Sequence, residues 1–216
     1  MQVAYLLYDR FTALDITGPH DVLNSVPVTE SVFVAEQAGP VRNESYTLSL
    51  VADASIDEVG SPDLVVVPGG FGTPTALERA PLLDWLRVVD ERSTWTTSVC
   101  TGALLLAAAG LLEGKKATTH WLARERLAEL GAEPVSDRVV REGKIVTAAG
   151  VSSGIDMALW LTKEIWGDEV AQAVQLGIEY DPQPPLDSGS PDKAEKPIVD
   201  VVTAAFASQG WPMPKG

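Results

Sequence analysis

The chain has 216 residues, and 30 Asp plus Glu against 16 Lys plus Arg give a formal net charge of −14. A surface this acidic repels phosphate backbones and anionic lipid, which disfavours nucleic acid and membrane-surface partners. Hydrophobic residues make up 45% and charged residues 21%, which excludes global disorder and supports one sizeable core; a single domain over residues 1–216 is expected.

One cysteine excludes an intramolecular disulfide and any zinc site built on several thiolates, and two histidines, His20 and His120, make a His-rich metal site unexpected. The N-terminus lacks a basic region before its apolar run and does not read as a signal peptide, so a cytoplasmic protein is expected. Residues 93–112 form a 20-residue stretch without charge, but eight of them are Ser, Thr or Gly. That stretch reads as a buried strand, a sharp turn and a buried helix rather than a membrane span.

In chain order, residues 3–8 read as a buried strand, 11–19 as a loop with a short helix starting near Gly18-Pro19, and 32–38 as a second strand. The alternation over 46–51 suggests a more exposed strand. Leu64-Val65-Val66-Val67 is a fully buried strand stopped by Pro68-Gly69-Gly70, followed by a helix over 77–89. A strand over 95–99 runs straight into a helix over 101–109. A short strand (117–119), a helix (122–130) and a hairpin around Glu142-Gly143 follow. Helices are expected over 153–166, 169–176 and 198–208, with a Pro-rich loop over 180–196. Alternating strands and helices imply a mainly parallel sheet covered on both faces.

Ser98-Val99-Cys100-Thr101-Gly102 leaves no room for a loop between strand and helix, so the turn is sharp and Cys100 stands at its tip, as a nucleophile elbow requires. A helix N-terminus there would favour a thiolate. A buried structural cysteine is the alternative. Pro68-Gly69-Gly70-Phe71-Gly72 ends the neighbouring strand, and the Gly70 and Thr101 N–H groups could form an anion-stabilising pair; a tight turn is the other reading. The spacing matches neither a dinucleotide fingerprint nor a P-loop. Asp15 is either a helix cap or a functional carboxylate, and beside Cys100 it could share a proton with it. His120 is the only histidine after Cys100, but a satisfied histidine at a strand end competes with a Cys–His pair. Residues 181–185 could rim a site or form a plain surface loop.

Taken together, these segments resemble the ThiJ/PfpI superfamily, and within it the isonitrile hydratase branch. The likeness covers nearly the whole chain, from residues 3–19, with Asp15-Ile16-Thr17-Gly18-Pro19, through Pro68-Gly69-Gly70, Val99-Cys100-Thr101-Gly102, residues 114–121 and residues 147–156 to the tail over 179–185. The resemblance implies a flavodoxin-like α/β sandwich of the class I glutamine amidotransferase-like type, a homodimer, and no metal or organic cofactor. It implies Cys100 as nucleophile, Asp15 as its acid/base partner and Thr101 as a neighbour of the reacting atoms. The implied substrate is a small-molecule isonitrile, hydrated to an N-substituted formamide through a cysteine thioimidate. Peptidase-like relatives carry His after the cysteine, where this chain has Thr101, and deglycase-like relatives use Glu where it has Asp15. A glyoxalase- or deglycase-like enzyme and a redox-sensing small-molecule-binding protein are the alternatives. Regulators that use this domain append DNA-binding helices, and too little chain follows Tyr180 for them.

Overall fold

The computed structural model describes residues 1–212. The chain opens with β1 (Gln2–Leu6), α1 (Ala13–Asn24) and β2 (Glu30–Ala35). Short strands β3 (Gly39–Arg42), β4 (Ser49–Ala52) and β5 (Ala54–Ser55) lead to β6 (Leu64–Val67). Then come α2 (Thr73–Ala76), α3 (Ala80–Arg92), β7 (Trp95–Val99) and α4 (Gly102–Ala108). β8 (Lys116–Ala117), α5 (Arg124–Glu129), β9 (Glu133–Pro134), β10 (Val139–Glu142) and β11 (Ile145–Ala148) follow. Three helices finish the chain: α6 (Ser153–Trp166), α7 (Asp168–Gly177) and α8 (Lys196–Ser208).

Seven strands form one sheet in the order β10-β11-β7-β6-β1-β2-β5. Every pairing in it is parallel except β10 with β11, the hairpin at the edge. The central strands carry apolar side chains on both faces: Val3–Leu6 and Leu64–Val67 are fully buried. Each such Val or Leu contributes roughly 1.5–3 kcal/mol of burial, and an unbroken apolar run of this kind fits a strand covered by helices on both sides. From β1 the chain winds towards β2, and from β6 it winds the other way, towards β7. With right-handed crossovers this puts their helices on opposite faces. Accordingly α1 packs with α6, while α4 packs with α2, α3 and α5. The reversal opens a crevice at the carboxyl ends of β1 and β6, where ligands bind in open α/β sheets.

The expected fold class holds, with local differences. Residues 13–19 are helical rather than a loop, despite Gly18 and Pro19. Pro19 cannot donate to the Asp15 carbonyl, yet it is buried and the helix packs along α6, so tertiary contact overrides a local breaker. The strand expected over 46–51 is β4, paired with β3 in a hairpin outside the main sheet. The strand expected over 117–119 is β8, and Thr118–His120 lie in the connection after it. The uncharged 93–112 stretch is β7, the turn and α4, and among the described residues no helix is long and apolar enough to cross a membrane.

Candidate active site

Val67 pairs with Ser98, so the segments after β6 and β7 leave the sheet side by side. Cys100 sits between β7 and α4 with φ 57°, a left-handed conformation rare for a residue with a side chain. Holding it there costs on the order of 1–3 kcal/mol. Two anchors offset that cost: Cys100 N–H donates to Ala149 O at 2.7 Å, and the Thr119 hydroxyl donates to Cys100 O at 2.8 Å. The turn also needs Gly102, because a Cβ there would lie 2.3 Å from Val67 O. The strand therefore runs into the helix with the thiol at the tip of the turn.

Asp15 arrives from the first turn of α1 and is fully buried. Its Oδ2 accepts from Gly69 N–H at 2.8 Å, while Oδ1 is buried without a hydrogen-bond partner among the described residues. Burial, and then the charge of Glu44, push the Asp15 carboxyl well above the usual carboxylate range. The Gly69 N–H, and more weakly the Cys100 thiol, work the other way, favouring the carboxylate. Cys100 is itself pushed well above the ordinary thiol range, first by burial and then by the Asp15 charge. The expected lowering by the helix N-terminus does not prevail, because α4 begins in a site that is nearly dry and holds two acids. The Thr101 N–H and hydroxyl favour the ionised form of the sulfur, but they are outweighed.

Gly70 N–H is not an open partner to Thr101 N–H as expected. It donates to Thr101 Oγ1 at 2.9 Å, satisfying a buried hydroxyl, so Gly70 reaches the sulfur only through Thr101. Thr101 Oγ1 lies 2.7 Å from Thr73 Oγ1, which lies 3.0 Å from the Tyr8 hydroxyl, which donates to Pro68 O at 2.8 Å. Glu44 reaches the same region, with Oε2 accepting from the Thr12 hydroxyl at 2.8 Å.

His120 is buried and makes no pair with Cys100. Its Nδ1 accepts from Leu122 N–H at 3.4 Å, and its ring stacks on Phe206. Burial and nearby Arg124 push its pKa down to about 4, so the ring is neutral near pH 7. Residues 181–185 are exposed. Among the described residues no cluster of three or more His, Cys, Asp or Glu could hold a metal ion.

The structure brings Cys100, Asp15, Thr101 and Gly70, singled out from the sequence, to one sheet edge, together with Tyr8, Thr12, Glu44, Thr73 and Thr119, which the sequence did not single out. Only Thr119 carried a signal, in the Thr-Thr-His-Trp segment; the others meet the site through chain segments far apart in sequence.

A cysteine held in strain on a strand–helix turn, facing a buried carboxyl at the carboxyl edge of a parallel sheet, defines a class of α/β proteins with a thiol-centred site. Within it, the chain belongs to the DJ-1/PfpI family, whose model matches residues 1–164. It is 45% identical over 200 residues to isonitrile hydratase of Pseudomonas putida, covering 93% of this chain and 87% of that one. It is 29% identical over 175 residues to protein DJ-1alpha of Drosophila melanogaster, covering 79% and 80% of the two chains. A ThiJ/PfpI family protein from Pseudomonas syringae superposes with a TM-score of 0.91 at 35% identity, covering 97% of this chain and 88% of that one.

Proposed function

We propose that this protein is an isonitrile hydratase, adding water to R–N≡C to give R–NH–CHO. The observation that carries the reading is the Asp15–Cys100 pair: a carboxyl with one oxygen fixed by Gly69 N–H and the other unpartnered, beside a thiol on an elbow. The likeness to the Pseudomonas putida enzyme over nearly the whole chain supports the same reaction.

The proton balance follows from the chemistry. Burial raises both groups, and the Asp15 charge raises Cys100 further, so the pair retains a proton at neutral pH. With that proton on Asp15, the Cys100 thiolate attacks the terminal isonitrile carbon as Asp15 gives that carbon the proton, leaving a thioimidate, R–N=CH–S–Cys100, and an Asp15 carboxylate. Asp15 then takes a proton from water as the oxygen adds to the same carbon, and returns it to nitrogen. Finally Asp15 accepts the hydroxyl proton of R–NH–CH(OH)–S–Cys100, the carbon–sulfur bond breaks, and formamide leaves with the starting protonation restored. The Thr101 N–H and hydroxyl steady the sulfur while it is a thiolate, before attack and as the carbon–sulfur bond breaks. Gly70 contributes by fixing that hydroxyl.

A homodimer fits the exposed apolar residues at the carboxyl end: Leu176, Ile178, Leu186, Ile198 and Val201 are 78, 36, 75, 50 and 66% exposed. A cytoplasmic location fits the single thiol, which needs reducing surroundings to stay active. The test is formamide production from an alkyl or aryl isonitrile, with methylglyoxal assayed alongside. Turnover of methylglyoxal alone would favour a glyoxalase-like enzyme.

A further inference from the structure

Cys100 and Asp15 are nearly closed off from solvent, so the surroundings of the elbow decide which substrates arrive. Three segments frame the cysteine. A Cβ on Gly69 would lie 3.0 Å from Cys100 Cβ, Thr119 holds the Cys100 carbonyl, and Ala149 O accepts its N–H. Each frame segment leads to an aromatic ring. Phe71 follows Gly69-Gly70, and His120 follows Thr119. The same His120 ring faces the third segment, where a Cβ on Gly150 would lie 3.6 Å from its Cδ2.

Phe206, on α8, joins the two rings. It stacks on His120 at 4.9 Å and 13°, and meets Phe71 edge-on at 5.0 Å and 63°. The helix that carries it has no buried residue. Its end is held by these rings, by the buried Trp211 and by an Arg10–Gln209 contact at 3.4 Å, at the limit of a hydrogen bond. A lightly anchored helix has thus placed one aromatic side chain between the two segments that flank the elbow.

We propose that Phe206, with Phe71 and His120, is the wall that receives the substrate's R group, and that it selects isonitriles whose R group is a flat aromatic ring. The inference rests on the isonitrile hydratase reading and adds the substrate class to it. A planar ring can extend the stack face-on or meet it edge-on, and a neutral His120 offers an aromatic face rather than a charge. A branched alkyl group has no flat face to offer and gains only apolar contact.

The experiment compares kcat/KM for 4-methoxyphenyl isonitrile and tert-butyl isonitrile in the wild type and in Phe206→Ala, Phe206→Leu and Phe206→Tyr. The wild type should favour the aryl substrate. That preference should fall roughly tenfold in the Ala and Leu variants, the scale on which a site discriminates one apolar group from another, and survive in the Tyr variant. A second measurement does not depend on isonitrile chemistry: the ratio of Cys100 alkylation rates by N-phenyl iodoacetamide and by iodoacetamide, which should fall in the same variants. If no isonitrile is turned over, the hydratase reading fails and the alkylation ratio alone decides the wall. If Phe206→Ala does not fold, Phe206→Leu against Phe206→Tyr decides it. Ratios unchanged by Phe206→Leu in a folded protein would overturn the proposal.

Discussion

Gly69 N–H donates to Asp15 Oδ2 at 2.8 Å, tying the segment after β6 to the first turn of α1. The same glycine has no room for a side chain: a Cβ would lie 2.4 Å from both Thr101 N and Thr101 Oγ1. Gly69→Ala must therefore push apart the two groups that hold the carboxyl and the sulfur. The expected outcome is a loss of ~1–3 kcal/mol of stability and a drop in kcat/KM of at least about a hundredfold. Denaturant unfolding and steady-state kinetics on one preparation check both.

Asp15→Asn preserves an acceptor for Gly69 N–H but cannot carry a proton. Activity should fall ~10²–10⁴-fold while stability rises. Because the folded pKa of Asp15 lies above its unfolded value, the native state binds the extra proton and loses stability as pH rises from about 3.9 through the folded value. The variant lacks that slope, so its Tm advantage over the wild type should be larger at pH 8 than at pH 5. An equal advantage at both values would mean that Asp15 is not buried as a neutral acid.

Glu44 raises both Asp15 and Cys100 through its charge. In Glu44→Gln both groups should ionise at lower pH, and alkylation of Cys100 at a fixed neutral pH should speed up several-fold. The pH profile of the alkylation rate, shifted to lower pH relative to the wild type, is the readout; a shift to higher pH contradicts it.

Thr101→Val removes the hydroxyl that accepts from Gly70 N–H and leaves that buried donor unpaired, at a cost of ~1–3 kcal/mol. Thr101→Ser should restore most of both stability and turnover. Rescue by Ser separates a role of the hydroxyl from simple filling of space.

His120 shows the opposite pH dependence to Asp15. Its folded pKa, about 4, is below the unfolded value of ~6.5, so its stabilisation is present above that value and is lost as pH falls towards the folded one. His120→Phe should flatten the loss of stability between pH 6.5 and 4, by up to about 3 kcal/mol. Thermal unfolding across that range measures it.

Sequence patterning located the main-sheet strands β1, β2, β6, β7, β10 and β11, because long apolar runs and a Gly-closed hairpin are local signals. The two-residue strands β5 and β9 were invisible, and β3, opened by Gly39-Pro40, reads as a breaker. Cys100 and Asp15 stood out because a thiol between strand and helix, and an acid among apolar residues, are locally anomalous. The helical state of Asp15 did not, because Gly18-Pro19 points to a turn and only packing against α6 overrules it. Tyr8, Thr73 and Glu44 are ordinary residues in their own segments and acquire meaning only when the sheet brings those segments to one edge. The raised pKa of Cys100 was missed for a related reason: its helix terminus is local, while its burial and the nearby acids are not.

The most direct test is intact-protein mass spectrometry after mixing the protein with an isonitrile, with formamide followed in the same sample. The wild type should show a transient adduct equal to the isonitrile mass, mapped to Cys100 by peptide analysis. Asp15→Asn should accumulate that adduct or form none, and Cys100→Ala should show neither adduct nor formamide while keeping its fold. Formamide produced by a folded Cys100→Ala protein would contradict covalent hydration at Cys100.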